Sequence, residues 1–361
     1  MVVIFSIESD SSSHEVMDWL DFLDEKFYVI YPNNFNNKIV ELISYLENGN
    51  KPSFWFRKWD KSYFDEEYKN TETFKLIEYI YHLTKDFCFW LNNPYDCDSN
   101  NKLTQHIYAN RVGLNVPSLN ILNKKEQLES LVLDSSNQFI TKSFGSQIMQ
   151  NDSDGNTLFA FTNIIDNELI NKSADSFFPS LIQEYIEKEF EIRTFYLDGE
   201  FYSMAIFSQD NEKTKIDFRH YDNKIPNRLE PISLPKDIEN KLKVFIKQIN
   251  TNCGSFDLIQ SISGDLYFIE CNALGQFGMV SKPCNYMLEK RIALLLKEKS
   301  EPSSQEISIA KTIDIANEDS LCTINMNCIE TVGADACYYS TFYESNYAIV
   351  KDLNKPIDLL G

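Results

Sequence analysis

The chain has 361 residues, of which 34 are Lys or Arg and 54 are Asp or Glu, for a formal charge of −20. Hydrophobic residues at 43% and aromatics at 14% mark a folded globular chain despite that charge, and the length predicts two to three domains of about 100–200 residues each. An excess of 20 negative charges repels phosphate backbones and anionic headgroups, which excludes a general nucleic-acid or membrane-surface binder.

In chain order, residues 1–7 are an apolar run that reads as a buried strand. Ser12-x-x-Glu15 is a capping-box pattern opening an amphipathic stretch over Val16, Leu20 and Leu23. A strand over 27–31, a helix over 39–46, a strand over 54–56, a helix over 73–83 and a strand over 87–91 follow. Strands alternating with helices of this length predict an α/β unit with a largely parallel sheet. The turn signal Asn92-Asn93-Pro94 closes it, giving an N-terminal domain over 1–98.

From Asn101 the pattern restarts. A helix over 103–112 is stopped by Gly113 and Pro117, then come a strand over 116–122 and a helix over 124–133. Two β-rich stretches, 139–144 and 158–165, face each other across a polar loop. Alternating runs over 181–186, 192–197 and 201–208 predict antiparallel sheet, the last two joined by a hairpin at Asp198-Gly199. An amphipathic helix over 237–249, a second hairpin from 255–260 to 266–270 around Ser263-Gly264-Asp265, and a helix over 286–296 complete the folded part. No window approaches the about 20 apolar residues of a membrane span. The start lacks a basic n-region and a cleavage-site pattern, so a cytoplasmic chain is expected.

Eight cysteines, at 88, 97, 253, 271, 284, 322, 328 and 337, contain no C-x-x-C pair. They are expected to be buried or free thiols, and the four scattered histidines add no zinc spacing.

The most informative segment runs from Asp257 to Glu270-Cys-Asn272. Positions i and i+2 of a strand point to one face, so Glu270 and Asn272 project together. If the hairpin brings Asp257 alongside, three hard oxygen ligands converge, as Mg²⁺ requires when it also holds phosphates; the alternative is ordinary polar residues at a sheet edge. Lys142 ends an apolar strand. Lys102 sits at a helix start, where N–H groups and the dipole favour anions. Either lysine alone also reads as a solvated surface residue. Gln183-Glu184-Tyr185-Ile186 is a strand running into polar residues. It could offer backbone groups and an apolar wall to a purine, with Glu187 or Glu189 beyond it for ribose hydroxyls.

In that order and spacing, Lys102, Lys142, the 183–186 string, Glu191-x-Arg193 and Asp257…Glu270-x-Asn272 resemble the ATP-grasp ligase superfamily. Trp55-Phe-Arg57, Asn101-Lys102, Gln183-Glu-Tyr-Ile-Glu-Lys-x-x-Glu-Ile-Arg193, Ser203-Met-Ala-Ile-Phe-Ser-Gln209, Lys215-Ile-Asp-Phe-Arg219 and Gly275-Gln-Phe-Gly278 narrow the resemblance. They are similar to the grasp-with-spasm peptide maturases, relatives of the microviridin-type ligases that make graspetides. The resemblance covers about residues 1–298 and implies an α/β (α+β) chain of ATP-grasp fold, with the N-terminal α/β domain followed by two nucleotide-sandwiching subdomains over 99–186 and 187–298.

The roles implied are Lys102 and Lys142 on ATP phosphates, Glu184 and Ile186 on adenine within the 183–186 string, and Glu187 or Glu189 on ribose. Asp257, Glu270 and Asn272 would hold Mg²⁺. Arg193 and Arg219 would face the reacting phosphoryl and carboxylate groups as planar bidentate donors, although a surface pair with Asp217 also accounts for Arg219. The implied activity is ATP-dependent phosphorylation of Asp or Glu side chains in a ribosomal precursor peptide, then joining to Ser/Thr hydroxyls or Lys amines as ω-esters or ω-amides. Implied partners are that precursor, with leader and core, a SPASM-type protein and a second copy of the chain. Two other readings stand beside it: a ligase adding amino acids to a peptide or protein C-terminus, and a nucleotide-binding module without catalysis. Trp55 reads either as leader contact or as core.

One departure from the superfamily is the loop over 145–155, which has only Gly145 and Gly155 and carries Asp152 and Asp154. Either it folds away from the nucleotide, or the lysines and the metal hold the phosphates. Residues 299–361 lie beyond the resemblance, with four lysines and ten acids, a net of −6. Glu330, Asp335 and Glu344 alternate there with Thr331, Ser340, Thr341 and Ser345, which fits a fused precursor-like peptide; an acidic extension or docking segment is the other reading.

Overall fold

The computed structural model describes residues 1–95, 101–144, 149–151, 157–159, 162–219 and 224–301. Most of the 145–155 loop, the tail beyond Glu301 and four of the cysteines lie outside the described residues. The described residues group into two compact units. One holds Met1–Asp98, Thr251–Cys253 and the stretch from Ala273; the other holds Ser99–Asn250 and Gly254–Asn272.

In the first unit β1 (Val2–Phe5), α1 (Ser11–Phe22), β2 (Phe27–Ile30), α2 (Phe35–Glu47), β3 (Ser53–Phe56), α3 (Glu67–Thr84) and β4 (Trp90–Leu91) follow one another. The strands pair in the order β2-β1-β3-β4 with every ladder parallel, as the alternation predicted. All residues of β1 and β3 are buried, the mark of a parallel sheet covered on both faces. On one face Val3, Phe5, Phe54 and Phe56 pack with Ile39 and Leu42 of α2 and Ile77 and Ile80 of α3, and Phe54 stacks on Trp90 with centroids 4.2 Å apart. Trp55 is 2% exposed at the centre of the sheet, so it is core.

Two local expectations change here. α1 begins at Ser11 with Asp10 as its N-cap, and no side-chain cap bond forms. The residues of the capping-box pattern are drawn into tertiary contacts instead: Ser12 Oγ donates to Gln276 Oε1, and Glu15 accepts from Lys282 Nζ at 2.5 Å. Asp10 faces Arg57 Nε and Lys58 Nζ, each at 3.2 Å. Burial alone would raise its carboxyl, but the two cations outweigh burial and hold it below the usual range. The strand expected over 87–91 shrinks to two residues, because Phe87 and Cys88 spend their N–H groups on the Thr84 carbonyl in a turn after α3.

The second unit starts with α4 (Lys102–Arg111), β5 (Leu119–Lys124), α5 (Lys125–Leu133), β6 (Phe139–Lys142), β7 (Met149–Asn151), β8 (Thr157–Phe159), β9 (Asn163–Ile164), α6 (Asn167–Lys172) and β10 (Ser176–Glu184). β5-β10-β6-β9 form one sheet, and β7 pairs with β8 in a ribbon. The stretch expected as one strand over 158–165 is thus split between β8 and β9, and β9 meets β6 antiparallel at Ile140↔Ile164. Leu128, Phe139, Ile165, Ile170 and Ile182 make the core of this layer, beneath α5 and α6. The strand expected from 116 begins only at Leu119, since Pro117 has no N–H to give a ladder.

β11 (Lys188–Leu197), β12 (Glu200–Phe207), β13 (Arg228–Ile232), α7 (Lys236–Gln248), β14 (Cys253–Ser261) and β15 (Leu266–Asn272) build the other sheet, ordered β13-β12-β11-β14-β15. Asp198 and Gly199 both take positive φ, 41° and 104°, the conformation a two-residue hairpin needs. Ile192, Phe256, Leu258, Phe268 and Cys271 turn one face of this sheet to Ala109 of α4 and to Leu242, Phe245 and Ile246 of α7. α8 (Gly278–Ser281) and α9 (Leu288–Glu298) return to the first unit, where α9 packs on α1 and β3. Among the described residues no helix is long and apolar enough to cross a membrane.

Candidate active site

The site is built on the face of the second sheet that points away from α4 and α7. On β11, Ile192 belongs to the core, so its neighbours Glu191 and Arg193 face the other way. On β14, Phe256 and Leu258 are core, which turns Asp257 to the same side as Arg193. On β15, simple alternation would put Glu270 on the face of buried Phe268. A bulge prevents this: Asp257 pairs with Glu270 and Leu258 with Phe268, leaving Ile269 without a partner. Phe268 and Cys271, three residues apart, both reach the core, and Glu270 and Asn272 are released to the site face. The expected meeting of Asp257 with Glu270 is therefore present as a direct cross-strand pair.

Cations surround that pair. Arg193 Nη1 lies 2.5 Å from Asp257 Oδ1, and Lys102 Nζ lies 3.0 Å from Glu270 Oε2. Lys102 is the first residue of α4, whose start is capped by the Asn101 side chain accepting from the N–H groups of Leu103 and Thr104. Lys142, the last residue of β6, is near enough to Glu270, Lys102, Arg219 and Asp257 for each to shift its titration. Burial pulls the Lys142 ammonium down to about 8. Burial alone would raise Glu270, but Lys102, Lys142 and Arg219 outweigh it and bring the carboxyl to about 2. Asp257 is pushed up by burial against the pull of Arg193, with Glu270 adding to the push. The Arg193 Nε is buried without a hydrogen-bond partner among the described residues. In a chain of net −20 this is a local concentration of four cations around Asp257 and Glu270, one of them, Arg219, also paired with Asp217.

Arg219 makes the bidentate pair with Asp217 that the sequence allowed, Nε and Nη2 at 2.6 and 2.5 Å from its two oxygens. The pair is not a surface one. The Asp217 side chain is 4% exposed, and the Arg219 charge acts on Lys142, Asp257 and Glu270.

The string 183–186, expected from sequence to meet a purine, sits at the end of β10. Gln183 is buried opposite Ile140 and Leu119. The Glu184 carboxylate accepts from Ser118 Oγ at 2.9 Å and Asn137 Nδ2 at 3.0 Å, and its N–H donates to the Ser118 carbonyl. Tyr185 donates its N–H to the Gln138 carbonyl. Burial, then Glu187 and Glu191, raise its phenol. Ile186 is buried, while Glu187 and Glu189 are exposed.

One residue here was not singled out by sequence. Gln105, 1% exposed, clamps edge strand β15 from α4: its Nε2 donates to the Cys271 carbonyl at 2.7 Å and its Oε1 accepts from the Cys271 N–H at 2.8 Å. These two backbone groups lie between Glu270 and Asn272. A glutamine three residues after Lys102 on one helix face was the available signal. Gln105→Leu leaves a buried N–H and C=O unpaired, and we expect a destabilisation of about 2–4 kcal/mol, read by thermal or denaturant unfolding. Lys188, which the sequence offered only as part of the string from Gln183 to Arg193 and without a role, is buried against Glu191.

Among the described residues no group of three or more His, Cys, Asp or Glu side chains is placed to hold a metal ion. The set here is two carboxylates in direct register with the Asn272 amide on the same face. That all-oxygen donor set fits a hard divalent cation such as Mg²⁺. Of the described cysteines, 253 and 271 are buried and 88 and 284 are partly buried. Burial pushes the Cys88 and Cys284 thiols up to about 12 and about 11, so neither is a reactive thiolate.

No protein-family model matches the sequence, and no curated protein does. Solved structures do match. A RiPP-associated ATP-grasp ligase of Chryseobacterium gregarium, in complex with ADP and a leader and core peptide, aligns with a TM-score of 0.66 at 18% identity, over 83% of this chain and 97% of that one. Macrocyclase MdnC of Microcystis aeruginosa, bound with precursor peptide MdnA, aligns at 0.65 and 20% identity, over 83% and 100%. The ATP-grasp ligase PsnB, complexed with a minimal precursor, aligns at 0.65 and 15% identity, over 82% and 98%. At these identities the likeness is one of fold, and the chain has the ATP-grasp fold.

Proposed function

We propose that this chain is an ATP-dependent peptide ligase that activates Asp or Glu side chains of a ribosomal precursor peptide and joins them to Ser/Thr hydroxyls or Lys amines. The observation that carries the reading is the convergence of Lys102, Lys142, Arg193 and Arg219 on the opposed carboxylates of Asp257 and Glu270. Neighbours of the same fold are complexed with ADP and Mg, or with leader and core peptides, which supports ATP as substrate and a peptide as partner.

A carboxylate is a poor acyl donor because its leaving group is oxide. Moving the γ-phosphoryl of ATP onto it yields ADP and an acyl phosphate. Attack by a hydroxyl or amine on the acyl carbon then expels phosphate and releases the nucleophile's proton, for a net loss of one water per ring. Protein work in such a transfer is chiefly positioning and charge neutralisation. Lys102 and Lys142 are assigned to the triphosphate, Glu184 and Ile186 to adenine, with Gln183 and Tyr185 of the same string beside them, and Glu187 or Glu189 to ribose. Asp257, Glu270 and Asn272 are the assigned holders of Mg²⁺, which when bound neutralises charge on the transferring phosphoryl. Arg193 and Arg219 present forks that match a phosphoryl or a carboxylate. The subdomains assigned to either side of the nucleotide are 99–186 and 187–298. A SPASM-type protein and a second copy of the chain complete the partners of this reading.

The aligned neighbours are spanned almost whole while about a sixth of this chain lies outside the match, a share close in size to the 63 residues of the acidic tail. We read the tail as a fused precursor-like substrate. Intact-mass measurement after incubation with Mg-ATP tests both parts of the proposal. Successive water losses mapping to residues 299–361, or to an added precursor peptide, are expected. A mass gain with a free amino acid points to the C-terminal ligase instead, and an unchanged mass with every peptide offered ends the ligase reading.

A further inference from the structure

Among the described residues, the Lys188–Glu191 pair is the most deeply buried charge pair of the second unit that the assigned site does not use. Lys188 Nζ lies 2.5 Å from Glu191 Oε1, with the two side chains 4% and 9% exposed. Two ions this deep return little net stability, since desolvation consumes most of their attraction, and apolar side chains of similar size often serve as well or better. Their other contacts suggest what the pair is for. Lys188 Nζ also donates to the Ile216 carbonyl at 2.9 Å, one residue before Asp217. Ser208 Oγ donates to Glu191 Oε2 at 2.5 Å. Between these points the chain is folded on itself: Thr214 Oγ1 donates to the Ser208 carbonyl at 2.9 Å, and Gln209 Nε2 donates to the Lys215 carbonyl at 3.1 Å. The segment 208–217 is thus tied at both ends to β11, two residues from Arg193, and it leads directly into Arg219.

We propose that Lys188 is a positioning residue: paired with Glu191, it pins the segment carrying Asp217 and Arg219 to β11 and so sets where the Arg219 guanidinium stands relative to Lys142, Asp257 and Glu270. This rests on the reading that Arg219 faces the reacting groups. The strand supplies the fixed point, the ion pair the tether, and the bidentate Asp217 contact the final orientation of the fork.

The test uses the full chain and a double variant, Lys188→Met with Glu191→Met. Lys188→Met alone leaves a buried uncompensated carboxylate, which destabilises the fold whatever the pair does for Arg219. Three quantities are measured: melting temperature, amide hydrogen exchange of residues 209–219, and kcat and KM for MgATP from ADP release. The double variant should melt within about 3 °C of wild type. It should exchange at least about tenfold faster over 209–219 and lose at least about tenfold in kcat, with KM for MgATP within about threefold. Wild-type exchange and kcat in the double variant would overturn the proposal, since the pair would then be replaceable filler. A KM raised at least about tenfold at unchanged kcat would overturn it too, making Lys188 a nucleotide contact. If wild-type protein releases no ADP with any peptide, the ligase reading itself has failed; the exchange measurement still decides whether the tether exists.

Discussion

Glu270→Gln is expected to lower ATP-dependent product formation by about 10²–10³-fold with little change in secondary structure. Glu270 lies opposite Asp257, within 3.0 Å of Lys102 Nζ. Its neighbouring cations bring its carboxyl to about 2 against burial, so it is an anion at any working pH. The amide keeps the shape of the side chain and can still accept a hydrogen bond, but it carries no charge. Lys102 and Lys142 then repel each other without compensation, and the strongest oxygen donor of the Asp257, Glu270 and Asn272 set is lost. Titrating Mg²⁺ in the same assay separates the two losses. A metal-binding role predicts that part of the rate returns at high Mg²⁺. A wild-type rate at ordinary Mg²⁺ would place the chemistry elsewhere in the chain.

Lys142→Met should cost at least about 10²-fold in kcat/KM for ATP, and yet the protein should melt no lower than wild type. The reason is the sign of the Lys142 shift. Burial lowers this ammonium from an ordinary 10.5 to about 8, so the native state binds the proton less tightly than the unfolded chain does. Below pH 8 the charged lysine costs the native state stability, and that cost fades as the pH rises from 8 to 10.5. Methionine removes the cost along with the charge. The same shift predicts an alkaline fall in kcat/KM of wild type with a midpoint near 8, because that ratio reports the free enzyme. Lys142→Arg should move the fall to higher pH, since a guanidinium keeps its proton. A wild-type profile flat to pH 9.5, or a Met variant with unimpaired kcat/KM, would remove Lys142 from the phosphate role.

Much of the fold was legible because its signals are local. The Asp198-Gly199 hairpin, the parallel first sheet and the helix opening at Asn101-Lys102 follow from residue types within a few positions of one another. The Asp257, Glu270 and Asn272 set was legible for the same reason, as two strands joined by a short turn. Its geometry was less so: alternation alone would turn Glu270 toward the face of Phe268, and the bulge at Ile269 reverses that. The bulge exists because Phe268 and Cys271 both find places in the core beneath α4 and α7, a fact of packing that no spacing rule contains. The capping-box pattern at Ser12 and Glu15 failed in the opposite direction. Partners more than 260 residues away in sequence, Gln276 and Lys282, took both side chains.

By itself the sequence determined the order of helices and strands, the types of residue available for phosphate, metal and carboxylate chemistry, and a net charge of −20 that any anion-binding site must overcome locally. Tertiary structure alone decided that Lys102 meets Glu270, that Gln105 grips the backbone of Cys271, and that Lys188 ties down the segment leading to Arg219. Coulomb energy and hydrogen bonding depend on distance through space and on the burial that suppresses screening. Separation along the chain measures neither, and these contacts come into being only once strand order and side-chain direction are set.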